Sequence, residues 1–313
     1  MNQSGKVLIA APVHPVLTEG LEAAGYTCAI HEKITQQDAF ELIRDCVGVI
    51  TSTRLLLDKA LLDAAPKLQW IGRMGSGMEI IDVPYATEKG IACFSSPEGN
   101  RNAVAEHAMG MLLGVTKRIA WSHQEVQKGL WLRDENRGTE LEGKTIGIIG
   151  YGNTGKAFAK KLLAFDMNIL AYDIDHTLPV QEGVVFCQNL DRIFEEAELL
   201  SFHLPLTENT YHYFDNVFLQ QMTKPFILIN TSRGDVVDTN VIWEGLQSKK
   251  IKSVCLDVLE GEPLTKMNDE KKQLVHQISM LPNALITPHI AGYSFEAVYK
   301  MSNSLLTKIV IPK

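Results

Sequence analysis

The chain has 313 residues, 45% apolar and 21% charged, a composition that builds globular domains and excludes a disordered chain. It carries 30 Lys and Arg against 37 Asp and Glu, and the formal net charge of −7 argues against a nucleic-acid partner. No apolar run approaches the roughly 20 residues of a bilayer span. The start, Met1 to Lys6 followed by Val7 to Val13, lacks a leader-type apolar region, so a cytoplasmic protein without a membrane is expected.

Read in chain order, short apolar runs alternate with amphipathic stretches of helix length. Val7 to Ala11 reads as a strand and Val16 to Ala24 as a helix. Val47 to Ile50 is a strand, and a helix follows around Leu57 to Ala64. Leu68 to Ile71 and Ile91 to Phe94 are further strands. Asn102 to about Lys128 is the longest helical stretch, broken only by isolated glycines. The polar excursion after it, Gly129 to Gly138, carries Trp131. A second series begins with the strand Thr145 to Ile149 and the helix Lys156 to Phe165. Its later strands are Ile169 to Tyr172, Leu199 to Phe202, Phe226 to Ile229, Ser253 to Leu256 and a short one from Ala284 to Thr287. Strands alternating with helices predict parallel sheets, and two such series predict two α/β domains with a cleft between them. The junctions are placed near Pro97 and Pro288. The five cysteines, Cys28, Cys46, Cys93, Cys187 and Cys255, are widely spaced and mostly within apolar segments. They read as reduced core residues, neither disulfides nor metal ligands, and no metal is expected.

The first strand of the second series runs into Gly150-Tyr-Gly152-Asn153-Thr154-Gly155, a G-x-G-x-x-G that opens a helix. The first glycine permits a tight turn, the second lets backbone approach a pyrophosphate, and the third lets helix and strand pack closely. The helix N-terminus offers amide donors and a positive dipole end to the phosphates. The next strand ends in Asp173, about 20 residues on, where an acid contacts the ribose 2′-hydroxyl. The neighbours Ile174 and Asp175 supply no cation for a 2′-phosphate, so NAD is expected rather than NADP. The alternative is a glycine-rich turn in an α/β domain that binds no nucleotide, with Asp173 as a cap or surface charge.

Three polar residues follow three strands at their carboxyl ends: Arg233, Glu262 and His289. Those ends border the ligand crevice of an open parallel sheet, so the three are expected to converge on the cofactor. Histidine exchanges a proton near neutral pH, and a neighbouring carboxylate orients it and favours its charged form. Arginine clamps a carboxylate or carbonyl oxygen through paired hydrogen bonds. The set suits reversible hydride transfer between NAD and a 2-hydroxy acid. Singly, each has a plainer reading: a satisfied core histidine, a surface arginine, a solvated loop carboxylate.

With these residues the sequence resembles the D-isomer-specific 2-hydroxyacid dehydrogenase family. The matching stretches are Arg73 to Asp82, Glu98 to His107, Gly147 to Gly155, His203 to Thr207, Asn230 to Gly234, Asp257 to Pro263 and Thr287 to Gly292. The resemblance implies a flavodoxin-like substrate domain formed by residues 1–97 and 288–313. A Rossmann NAD-binding domain, 98–287, is inserted into it and carries a homodimer contact. It also implies roles. Arg233 binds the carboxylate and carbonyl of a small 2-hydroxy or 2-keto acid, and Glu262 and His289 form the acid–base pair. Ser76 and Gly77 offer backbone amides to the carboxylate. Asp257 contacts the nicotinamide carboxamide. Gly150, Gly152, Asn153, Thr154, Gly155, Asp173, His203, Pro205 and Thr231 are the remaining cofactor residues.

Within the family, D-3-phosphoglycerate oxidation is the leading expectation. Glyoxylate or hydroxypyruvate reduction and D-lactate chemistry come next. Phosphoglycerate enzymes usually open the R-S-x-T stretch with an arginine, and here that position is Thr51. Arg54, Arg73 and Arg101 remain as phosphate partners. Glutamate rather than glutamine at position 262 speaks against formate. The loop after Pro263, with Lys266, Lys271 and Lys272, reads as a solvated surface loop before it reads as a lid. The chain stops soon after His289, so feedback by serine through a C-terminal regulatory domain is not expected. A different class, an NAD-sensing co-repressor-like binding protein, shares the fold and is disfavoured by the intact Arg–Glu–His set.

Overall fold

The computed structural model describes residues 5–310. Residues 1–4, which belong to the stretch read for a leader, and the last three of the tail given to the substrate domain lie outside the described residues. The chain divides into two units. One runs to Arg101 and resumes at Gly292; the other is Asn102–Ala291. These divisions fall four residues beyond Pro97 and four beyond the residue before Pro288.

The first unit holds a five-stranded sheet. Its strands are β1 (Gly5–Ile9), β2 (Tyr26–Ile30), β3 (Cys46–Thr51), β4 (Trp70–Arg73) and β5 (Ala92–Ser95), in the order β2-β1-β3-β4-β5. Every pairing is parallel. The central strand β3 is buried along its whole length, whereas β2 at the edge is half exposed. That exposure is why β2 is not evident from apolar periodicity. The helix Pro15–Ala23 packs against the C-terminal helix Phe295–Val310. A Cβ on Gly20 would come within 2.3 Å of Leu306, so the close approach requires glycine. Leu57 does not begin a helix. It is buried, bridges to Ile81, and Asp58 caps the helix Lys59–Asp63 that follows.

The second unit holds a seven-stranded sheet: β6 (Thr145–Ile149), β7 (Asn168–Tyr172), β8 (Val184–Phe186), β9 (Leu199–Phe202), β10 (Phe226–Asn230), β11 (Ile251–Leu256) and β12 (Ala284–Ile286). The order is β12-β11-β10-β9-β6-β7-β8, again all parallel. Each face has its own core. Ile146, Ile148 and Ile169 pack with Leu112, Phe158 and Leu162 on one side. Leu200, Phe202 and Leu228 pack with Phe214, Phe218 and Ile242 on the other. Alternate residues of one strand thus feed opposite layers. The short edge strand β8 is partly exposed and is the second strand not evident from the sequence.

The long helical stretch is two helices, Pro97–Thr116 and Ile119–Gln127. The break is at Arg118, whose φ is +54, and not at Gly110 or Gly114, which lie inside the first helix. All five cysteines are free thiols, and Cys46, Cys187 and Cys255 are buried. Among the described residues no helix is long and apolar enough to cross a membrane.

Candidate active site

The glycine turn follows a fully buried β6. Its three glycines answer three different constraints. Gly150 has φ +91, and a Cβ there would lie 2.4 Å from the His203 carbonyl oxygen. A Cβ on Gly155 would lie 2.1 Å from the Gly150 oxygen. A Cβ on Gly152 would meet nothing within 4 Å. Gly150 and Gly155 therefore let the chain close on itself, and Gly152 keeps a space open. Gly152 begins the helix Asn153–Leu162 without any side-chain cap, so the amides of the first turn face that opening. An open cradle at an uncapped helix start fits a pyrophosphate.

Asp173 stands just after β7. Its carboxylate accepts the Tyr151 amide at 2.7 Å and the Asp175 amide at 3.0 Å. Each oxygen keeps a lone pair for a ribose hydroxyl. Asp173→Ala should weaken NADH binding by about 10- to 100-fold, the worth of a hydrogen bond to a charged group. It should also narrow the preference for NADH over NADPH. Dissociation constants for both cofactors check this, and an unchanged ratio would reduce Asp173 to a prop for the glycine turn.

The next two strand ends, those of β9 and β10, hold buried polar atoms without a partner among the described residues, His203 Nδ1 and Thr231 Oγ1. Such atoms fit a site that receives a polar ligand. His203 Nε2 is 2.9 Å from Ser201 Oγ, and burial pushes the ring pKa down to about 4. A histidine depressed from 6.5 to about 4 stabilises the fold fully above pH 6.5. That contribution, about 3 kcal/mol, is lost as pH falls toward 4. His203→Asn should flatten the stability–pH curve across this window, as read by denaturant melts. Pro205 lies on the exposed loop beyond, where its carbonyl accepts Thr210 Oγ1 at 2.6 Å.

Past β10 the Asn230 side chain shapes the loop. Its oxygen accepts the Ser232 amide and hydroxyl, and its amide donates to the Arg233 carbonyl at 2.8 Å. The half-buried Arg233 guanidinium donates to the Ser232 carbonyl at 2.7 Å. Past β11, Asp257 is 1% exposed. Its carboxylate accepts Thr287 Oγ1 at 2.6 Å and the amides of Ile290 and Ala291 at 2.9 and 2.8 Å. Its carbonyl accepts the His289 amide at 2.7 Å. Asp257 thus fastens the turn that carries His289, whose φ is +54. The carboxamide contact that the resemblance implies for Asp257 would come in addition to these bonds. His107 Nε2, 2.9 Å from Thr287 Oγ1, extends the same cluster.

His289 Nδ1 and Glu262 Oε1 are in direct hydrogen-bond contact. Glu262 Oε2 accepts the Leu259 amide at 3.0 Å. His289 Nε2 has no partner among the described residues and is exposed. Glu262 and His289, 27 residues apart, are therefore brought together, and Arg233 is set at the end of the neighbouring strand β10.

In the first unit, Thr51 ends β3 fully buried, and Arg54 lies exposed three residues on. Arg73 is 9% exposed and its guanidinium is drawn onto the Met74 carbonyl. That bond braces the turn after β4. Ser76 is exposed and Gly77 half-buried in that turn, and Arg101 is exposed.

Lys271 does not belong to a solvated run. Asn268 caps the helix Asp269–Ser279, and Lys271 forms an ion pair with buried Glu260. Lys266 is exposed, and Lys272 reaches only Asp269, at 3.7 Å. Glu260 itself was not singled out from the sequence. Its carboxylate accepts the Thr239 amide at 3.1 Å, Thr239 Oγ1 at 2.8 Å and pairs with His212 Nε2 at 3.0 Å. Burial alone would raise its pKa, but these donors and the Lys271 ammonium hold it down at about 2.

A family model described as D-isomer specific 2-hydroxyacid dehydrogenase, NAD binding domain, matches residues 109–291. The chain is 35% identical over 274 residues to a glyoxylate reductase of Thermofilum pendens, across 86% of this chain and 78% of that one. It is 32% identical over 305 residues to a D-3-phosphoglycerate dehydrogenase of Methanocaldococcus jannaschii, across 97% of this chain but 56% of the relative. A solved D-lactate dehydrogenase from Aquifex aeolicus, complexed with NAD and lactic acid, superposes with a TM-score of 0.82. It is 27% identical, with 97% of this chain and 94% of that one covered. An open glycine cradle, an acid at the next strand end and a histidine held by a carboxylate thus meet a family match over more than half of the chain. The chain belongs to the D-isomer-specific 2-hydroxyacid dehydrogenases, NAD-dependent oxidoreductases that act on the CH–OH group of D-2-hydroxy acids.

Proposed function

We propose that the chain reduces small unphosphorylated 2-keto acids, glyoxylate and hydroxypyruvate foremost, to their D-2-hydroxy acids with NADH. The observation that carries this reading is Thr51. Its side chain is fully buried at the strand end where phosphoglycerate enzymes of the family usually carry an arginine. A phosphate dianion calls for a fixed guanidinium or ammonium. Arg73 is drawn onto the Met74 carbonyl, and Arg54 is exposed on the following turn. The glyoxylate reductase relative supports the same reading.

Bound NADH supplies the hydride to the carbonyl carbon. The chain's own groups do the rest. Arg233 pairs with the substrate carboxylate and polarises the carbonyl oxygen. His289 Nε2 donates the proton that the carbonyl oxygen takes up, and accepts it back in the oxidative direction. Glu262 fixes the ring through Nδ1.

Oxidation of D-3-phosphoglycerate is the second reading, favoured by the match to the Methanocaldococcus jannaschii dehydrogenase across 97% of this chain. The test follows NADH absorbance with D-3-phosphoglycerate plus NAD, and with glyoxylate, hydroxypyruvate and pyruvate plus NADH. Turnover confined to the keto acids supports the proposal. Turnover mainly with phosphoglycerate overturns it and makes Arg54 or Arg101 the phosphate partner. A homodimer belongs to the same proposal, supported by the exposed apolar side chains Ile119, Val126, Leu130 and Trp131. Light scattering that gives a monomer mass would remove the dimer.

A further inference from the structure

We propose that Glu260 is a positioning residue for the acid–base pair, a buried brace that locks the loop carrying Glu262 to the loop carrying Arg233. The proposal rests on the assignment of His289 as proton donor, and it names a residue to which that assignment gives no part.

Two loops must keep register for the site to work, 230–239 after β10 and 257–262 after β11. Two ties join them. Gly234 lies against the second loop so closely that a Cβ would come within 2.1 Å of the Leu259 carbonyl group and 2.5 Å of the Glu260 nitrogen. The Glu260 carboxylate crosses to the start of the helix Thr239–Gln247, where it accepts the Thr239 amide and hydroxyl.

Of these ties, that of Glu260 is charged and enclosed. Glu260 is 6% exposed and gathers donors from three directions: Thr239, His212 and Lys271. The titratable groups around it are His212, Asp235, Asp238 and Lys271. Buried charge-assisted hydrogen bonds of this kind fix one geometry, because any other leaves the carboxylate unpaired.

The effect reaches the chemistry through one residue. Glu260 fixes its neighbour Leu259, and the Leu259 amide donates to Glu262 Oε2. That bond turns the other Glu262 oxygen toward His289 Nδ1. If the brace is released, Glu262 loses its orientation, and the His289 ring loses the bond that orients it.

The experiment uses the full chain with ¹⁵N-labelled histidine. It follows the His289 ring nitrogen resonances by NMR, with His289→Ala for assignment and Glu262→Ala as the reference for a ring without its carboxylate, together with kcat and the NADH dissociation constant. Glu260→Ala should move the His289 Nδ1 resonance toward its position in Glu262→Ala. It should lower kcat by about 10- to 100-fold while NADH affinity stays within about twofold. Glu260→Gln keeps an acceptor for Thr239 and should restore part of both effects; it carries the test alone if the alanine variant does not fold. An unmoved Nδ1 resonance overturns the proposal, as does a joint loss of kcat, NADH affinity and melting temperature with that resonance unchanged. The site assignment fails separately, and takes the proposal with it, if His289→Ala itself keeps full turnover.

Discussion

Replacing His289 with alanine lowers kcat for keto-acid reduction by about 10²–10⁴-fold, the usual worth of a positioned general acid–base. The geometry makes the loss specific to proton transfer. His289 is exposed, and among the described residues its Nε2 has no partner, while Nδ1 is taken up by Glu262. Among the described residues the glycine turn and Asp173 make none of their contacts through this ring. NADH affinity should therefore stay within about twofold. The turn itself should survive, because Asp257 holds it through the Thr287 hydroxyl and the amides of Ile290 and Ala291. Steady-state kinetics with a cofactor titration checks both parts. An unchanged kcat would remove His289 from the mechanism.

Replacing Arg233 with alanine costs about 10²–10³-fold in kcat, the typical loss when a fixed donor to a developing oxyanion is removed. It also raises KM, because the same guanidinium holds the ground-state carboxylate. The loop should persist, since Asn230 fastens the Arg233 carbonyl and the Ser232 amide rather than the arginine side chain. Arg233→Lys should recover little, because an ammonium offers a point charge in place of a planar fork. Stopped-flow binding of NADH separates the two explanations of any loss. If cofactor affinity collapses with kcat, Arg233 is a structural residue.

The parts of the site legible in the sequence are those that combine a strong local pattern with a forced position. The run Thr145–Ile149, buried at every residue, can only be a central strand, and glycines just past it can only be a turn at that strand's end. The same logic puts Arg233, Glu262 and His289 on one edge of the sheet, because all its strands are parallel. β2 and β8 are less legible, since an edge strand buries little and its sequence is under less constraint. The break at Arg118 is hidden because a left-handed arginine carries no composition signal, unlike a glycine.

Lys271 illustrates a second limit. In the sequence it is one of a run of lysines and reads as solvated. In the fold, the helix capped by Asn268 turns it onto Glu260 while Lys272 stays exposed. Glu260 is equally mute in the sequence, where it precedes the more conspicuous Glu262-Pro263. What marks it is the set of donors from Thr239, His212 and Lys271, residues 11 to 48 positions away in the chain. Local pattern therefore finds the candidate reacting groups, while the groups proposed to aim them emerge only from tertiary contact.

The order of the strands has a consequence for how the protein fails. The cofactor turn hangs from β6, paired on both sides in the interior of the sheet. His289, the proposed proton donor, follows β12, three residues long and, among the described residues, paired only to β11 at the margin. Margins fray at lower free energy than interiors. Warming should thus detach the histidine turn while the nucleotide cradle is still whole, so that the enzyme falls silent with its cofactor in place.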